Sequence, residues 1–370
     1  QAFYRVALAH ALFDAGRRRE ALAQLARARR LGRPTRSKNF EFALYFALGY
    51  FALERGRTRR ALPLLRKALE NSRASGNFNR FLWTPRNLGK VVVAALENGI
   101  EVGHAQELVR RCGLAPTPEA LRLDNWPFPV RVHALGRLRV ELDGEPLHFN
   151  GKAQRKPLEL LMAIIAKGGR NVPELQVQEA LWPDAEGDAG HQACAIALHR
   201  LRKLLGCDQA VVLRRNELTL DPAYVWVDVW AFERELAQPA GLAPAAESAA
   251  SRIYALYKGS FLSQVDAPWA MSMRERLRGK FMRHVAEQGR KLLAAGQYAA
   301  AVGVYEKGLE ADGRLEELYQ GLMLCHSAMG RRAEAVDVYR RCETMLAATL
   351  GVTPGTKTVA LYRTLQEKEA

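Results

Sequence analysis

The chain has 370 residues, 48% hydrophobic and 25% charged, the composition of ordinary globular domains, two or three by length. An excess of 55 basic over 39 acidic residues gives a formal charge of +16, which points to a polyanionic partner, either nucleic acid or an anionic membrane surface. A bilayer-spanning role is excluded, because no run of about 18 apolar residues exists and stretches such as Val91–Leu96 are only core-sized.

Gln1 opens directly into helical sequence without a secretory signal, as in a fragment of a longer chain. Gly16-Arg17-Arg18-Arg19-Glu20-Ala21-Leu22 and Gly56-Arg57-Thr58-Arg59-Arg60-Ala61-Leu62 share a Gly-x4-Ala-Leu core 40 residues apart, continued by Leu25 with Leu65 and Ala28 with Ala68. A Gly ends one helix, the next starts within a few residues, and a small Ala lets the pair pack closely. Such hairpins are tetratricopeptide-like, and a degenerate third unit runs from Val91 through Cys112. Residues 1–118 are therefore expected to be helical repeats, ended by a Pro-punctuated linker at 119–129 around Asn125-Trp126.

Beyond the linker, Val130–Leu135 and Leu138–Leu142 alternate with period two around Gly136-Arg137, and Asp143-Gly144 turns into Pro146–Phe149, a short antiparallel meander. Gln154–Lys167 reads as an apolar helix stopped by Gly168-Gly169, and Pro173–Trp182 as a short helix. After the acidic loop Asp184–Asp188, a long helix is expected over Ala189–Leu205, closed by Gly206. Val211–Arg214 and Glu217–Leu220 form a hairpin, with a last strand over Tyr224–Val229. Strands, three helices and a hairpin are the order of a winged helix-turn-helix. Residues 130–236, with their N-terminal strands and the stretch Leu198–Gly206, resemble the OmpR/PhoB type of effector domain.

Residues 237–370 carry a second signal. Gly296, Ala301, Val304 and Tyr305 recur as Gly330, Ala335, Val338 and Tyr339, each 34 residues on, which is the tetratricopeptide period. With Tyr257–Leu262, Trp269, Arg274–Leu277, Leu350–Gly355 and Leu361-Tyr362, this segment resembles the bacterial transcriptional activator domain of antibiotic-pathway regulators, which follows a winged helix of the same type. Gly313 departs from the family's Asp-Pro, and Thr349 from its acidic residue before Leu-Gly-Val. The fold class expected is mainly α, with tetratricopeptide-like repeats flanking an α+β winged helix-turn-helix domain.

If Ala189–Leu205 enters the major groove, Cys194, Leu198, Leu201 and Leu205 form its core stripe. Roughly opposite lie Gln192 or Ala193, Ile196, Arg200 and Lys203, with His199 beside them. Arg200 is the candidate for a bidentate guanine contact, worth about 1–3 kcal/mol of discrimination, and Ile196 can meet a thymine methyl or fill a partly buried gap. The resemblance implies that Arg202 and His199 share base or phosphate contacts. Lys152, Arg155 and Lys156 before the first long helix, and Arg214 and Arg215 at the hairpin tip, are candidate phosphate or minor-groove contacts. Double-stranded promoter DNA is thus the expected partner. The resemblance implies head-to-tail pairing on direct repeats, and RNA polymerase and a protein or small-molecule effector at the helical repeats are further expected partners.

Enzyme signatures are missing: there is no G-x4-G-K-[ST], H-E-x-x-H, G-x-S-x-G or G-x-G-x-x-G motif, and no cofactor is implied. Regulators resembling this architecture also occur with a nucleotide-binding switch domain upstream. Cys112, Cys194, Cys207, Cys325 and Cys342 are too scattered for a disulfide frame or a zinc site and suit the reducing cytoplasm. Trp126, Trp182, Trp226 and Trp230 read as core and linker packing rather than a stacking platform. The competing function is a protein-interaction scaffold whose winged helix docks a protein, for which the run Arg200, Arg202, Lys203 has no use. Residues 1–129 hold 23 basic and 10 acidic residues, whereas 130–236 hold 14 and 15. The surplus therefore lies in the repeats, where it adds nonspecific attraction to DNA or binds an acidic partner or effector.

Overall fold

At the turns of the N-terminal repeats, Gly16 and Gly56 take φ of +78° and +66°, the left-handed conformation that glycine adopts at least cost. In the computed structural model, which describes residues 1–76, 83–148, 154–185, 188–237 and 251–367, these turns join α1 (Ala2–Asp14) to α2 (Arg18–Gly32) and α3 (Lys38–Glu54) to α4 (Thr58–Ser75). A third hairpin is built from α5 (Pro85–Glu97), started by a Thr84/Asn87 capping box, and α6 (Val102–Cys112). Ala21, Leu25 and Ala28, with their counterparts Ala61, Leu65 and Ala68, are fully buried where the hairpins close. α1 packs on α3 and α3 on α5, while α2 also touches α3 and α4 also touches α5, so each hairpin leans on the next.

The chain divides into two units: residues 1–129 with 222–224, and residues 130–221 with 225–370. In the second unit β1 (Val130–His133) pairs antiparallel with β2 (Arg139–Leu142), and β2 with β3 (Glu145–Pro146). Three helices follow: α7 (Arg155–Ala166), α8 (Glu174–Leu181) and α9 (Asp188–Leu205). A second sheet orders β4 (Val172–Pro173), β6 (Glu217–Leu220) and β5 (Val211–Arg214). Pro173 thus stands in a strand, Val172 opposite Leu218, and the helix expected from Pro173 starts at Glu174. The hairpin turn is also settled. Arg215 and Asn216 take φ of +50° and +61°, positive at both central positions as in the type I′ turn that matches strand twist.

The strand expected over Tyr224–Val229 is shorter. β7 (Val225–Val227) joins β1 in parallel, and Asp228 opens a helix, α10 (Asp228–Leu236), that was not foreseen. Both Asp228 carboxylate oxygens accept from the Ala134 N–H at 2.9 and 2.8 Å, and one also accepts from Leu135 N–H at 2.9 Å. Burial nevertheless pushes this carboxyl up to about 6, against the pull of those N–H groups.

Residues 251–256 are helical, and the C-terminal stack follows as α11 (Pro268–Ala294), α12 (Tyr298–Ala311), α13 (Glu316–Ala328), α14 (Arg332–Leu350) and α15 (Thr356–Glu367). Ala301 and Ala335, 34 apart, are fully buried. Tyr305 is clasped between α11 and α13, where a Cβ on Gly289 or Gly321 would come within 2.3 Å of its ring. Its counterpart Tyr339 instead stacks on Tyr362 of α15, ring centroids 4.0 Å apart. The fold is mainly α, helical repeats of tetratricopeptide type together with an α+β winged-helix region.

The winged-helix segment and the C-terminal stack share one core. Phe232 of α10 lies 5.5 Å from Tyr257, which stacks on Phe281 of α11 at 4.0 Å. Leu262 N–H donates to Ala134 O, Gly136 N–H to Ser260 O, and Ser263 N–H to Gly136 O, at 2.8, 3.2 and 2.9 Å. Arg274 fastens that segment, donating to the carbonyls of Phe261, Leu262 and Val265 at 2.9, 2.9 and 2.6 Å.

Candidate nucleic-acid interface

On α9 the two faces separate cleanly. Cys194, Leu198, Leu201 and Leu205 are buried, joined by Ala197, and pack toward α7 and α8. Gln192, Ile196, His199, Arg200 and Lys203 are exposed on the other side. Their spacing of 4, 3, 1 and 3 residues makes one stripe along the helix, which is what a groove-reading face requires. Ile196 is 54% exposed, so it is a surface side chain and not a filler of the core. Arg200 and Lys203 have no acidic partner among the described residues, so their charges are free for a ligand.

Arg202 faces elsewhere. Its Nε donates to the Val211 carbonyl at 2.9 Å, tying the end of α9 to the first strand of the wing. That bond places it beside the core side of the helix. At the wing tip Arg214 and Arg215 are both exposed, held out by the positive-φ turn.

Arg155 and Lys156 sit in the first turn of α7, and both pair with Glu159, at 2.8 and 2.9 Å. Burial acts to raise the Glu159 carboxyl, but hydrogen bonds from Lys156 and Arg155 outweigh it and hold the group below its ordinary value. Lys156 also donates to Leu181 O at 3.3 Å and lies 5.6 Å from the centre of the Trp182 ring. These two cations are thus partly neutralised in place. Lys152 lies outside the described residues.

Sequence reasoning missed the groups that hold α9. The buried Glu174 of α8 accepts from Gln178 Nε2 at 2.9 Å and pairs with His191 Nδ1 at 2.9 Å, locking the start of α9 to α8. Burial, with Glu174 nearby, pushes the Cys194 thiol up to about 12, which leaves it an unreactive core group. Glu174 reads as a solvated first-turn acid in the sequence, and only the meeting of α8 with α9 buries it. Trp226 is buried with Arg131 over its ring at 5.0 Å, and Trp230 donates its indole N–H to Gly168 O at 3.3 Å. Trp226 is thus core packing, and Trp230 packs against Gly169 with Arg170 4.9 Å from its ring centre. No described helix is long and apolar enough to cross a membrane.

Residues 227–366 match the sequence model of the family described as the bacterial transcriptional activator domain, beginning at β7 and α10 rather than after them. That match takes in the C-terminal stack, whose repeats are thus similar to those of such a domain. Over 232 residues, 61% of this chain, the sequence is 29% identical to the regulatory protein AfsR of Streptomyces griseus. The chain spans only 23% of that relative's length. Among solved structures it is similar to Mycobacterium tuberculosis EmbR in complex with a low-affinity phosphopeptide, at 21% identity over 65% of each chain and a TM-score of 0.50, a likeness of fold.

Proposed function

We propose that the chain is a sequence-specific, double-stranded-DNA-binding transcriptional regulator acting in the cytoplasm. The observation that carries this is the unpaired stripe of Gln192, Ile196, His199, Arg200 and Lys203 on α9, opposite a fully buried one. In this reading α9 lies in the major groove, with Arg200 on a guanine edge and Ile196 against a thymine methyl. Arg214 and Arg215 carry the wing to phosphates or the minor groove. Arg202 acts indirectly, by fixing the wing to the helix, and Arg155 and Lys156 contribute weakly because Glu159 already holds them. The activator domain, fused to the winged helix through Asp228 and the 260–263 segment, serves head-to-tail pairing or polymerase contact. The N-terminal repeats receive an effector or partner.

Selection of bound fragments from a random duplex pool tests the reading. An enriched motif that disappears with Arg200→Ala/Lys203→Ala supports it. Failure to enrich any motif favours the scaffold, in which the winged helix docks a protein.

A further inference from the structure

The repeats, and not the winged helix, own the charge of this molecule, and they own it in an ordered way. Residues 17–38 hold nine basic side chains and one acid, and residues 55–73 hold seven and one. These two stretches cover α2 and α4, the second helices of two consecutive hairpins. The 40-residue repeat that sets their cores in the same register, Ala21 with Ala61 and Leu25 with Leu65, also sets their outer faces in register. Arg19 on α2 corresponds to Arg59 on α4, and Arg27 to Lys67. Both pairs fall on the side opposite the buried alanines and leucines, and all four are exposed, as are Arg30 and Arg66 beside them.

Pairing within the structure does not neutralise these rows. Among the described residues, Arg19, Arg27, Arg30, Arg59 and Arg66 have no acidic partner. The ion pairs nearby involve other cations, Arg17 with Glu20 and Arg73 with Glu101. Cations repeated on successive hairpins with few acids between them suit a partner whose own charge is repeated and continuous. A nucleic-acid backbone, with a phosphate for every 1.7 Å or so of duplex axis, is such a partner.

We infer that the exposed basic faces of α2 and α4 form a second nucleic-acid surface, one that binds the phosphate backbone of a duplex without regard to sequence. It rests on the proposed DNA-binding function only for the choice of polyanion. Within the full chain it supplies the salt-dependent attraction that the winged-helix segment, with 14 basic against 15 acidic residues, does not supply by net charge.

The test uses the full chain and a scrambled 30-base-pair duplex, with affinity measured across a salt series. Arg19→Glu/Arg27→Glu/Arg59→Glu/Arg66→Glu is expected to weaken binding at least about tenfold at 0.1 M salt and to flatten the log–log salt slope by about three units. Lysine at the same four positions should stay within about twofold of the parent, because the contact needs charge and not a guanidinium. If the reversed chain does not fold, glutamine at the four positions should move affinity and slope the same way by less. Parent affinity and slope in the reversed or glutamine chain overturn the inference, as does a parent chain that binds no scrambled duplex. Loss of poly-glutamate binding with duplex binding unchanged also overturns it, in favour of an acidic protein partner. Arg200→Ala separates the two surfaces: it should lower preference for a selected site about 10- to 100-fold while leaving scrambled-duplex binding intact. Failure of that result counts against α9 alone.

Discussion

Asp228 shows how one side chain can join two modules. It sits 94 residues from Ala134, whose N–H it accepts together with that of Leu135, and so fixes where the first strand leaves the sheet. Its carboxyl titrates near 6 in the fold against an ordinary value of 3.8. The folded state thus holds a proton that the unfolded chain releases between about pH 4 and 6. Stability attributable to this residue falls as pH rises through that window and is flat above it, a change of about 2–3 kcal/mol. Urea midpoints of the parent and Asp228→Asn, taken from pH 4.5 to 7.5, check this: the difference between them should vary below about pH 6 and stay constant above it. Arg202 makes the matching case on α9. Arg202→Ala should cost about 1–2 kcal/mol through the lost Val211 bond, whereas Arg200→Ala should leave unfolding unchanged, as thermal scans would show.

Among the elements, α9 was the most legible from sequence, because the core spacing of Cys194, Leu198, Leu201 and Leu205 leaves only one face for solvent. The prediction at this scale is a contrast. Leu201→Ala should cost about 2–5 kcal/mol by opening a cavity, while the exposed Ile196→Ala should change stability by less than about 0.5 kcal/mol and lower affinity for the selected site. The wing turn carries a second contrast. Arg215 holds φ of +50° at the expense of backbone strain, so Arg215→Gly should raise the unfolding midpoint by a few degrees. The same change removes a wing cation, and affinity for any duplex should fall. A chain that loses stability instead would mean that the arginine side chain supports the turn. What sequence could not supply was the ends of elements whose limits are set from outside. Pro173 became a strand residue through β6, and the Val225–Val227 strand stopped where Asp228 met Ala134. The candidate phosphate contacts Arg155 and Lys156 have Glu159 four and three residues on, and the ion pairs they make with it are ones that helix geometry allows.

At the scale of the molecule, repeat periods were readable because the same physics recurs: a glycine turn, then a small residue where helices cross. The 34-residue and 40-residue spacings mark real hairpins, with Ala301, Ala335, Ala21 and Ala61 all fully buried. The fusion of the winged helix to the activator stack was not readable, since it depends on Phe232, Tyr257 and Phe281 meeting across more than 40 residues of chain. Charge divides along different lines from chemistry, with the bulk of it on the repeats and a few unpaired cations on α9. The central claim is that those few cations select a DNA sequence. The most direct measurement is the ratio of affinities for a selected site and for its scrambled version, taken at one salt concentration for the parent and for Arg200→Ala. The expected result is a ratio lowered about 10- to 100-fold, from the loss of one bidentate base contact, with the unfolding midpoint unchanged. An unchanged ratio would contradict the assignment of α9 as the reading helix.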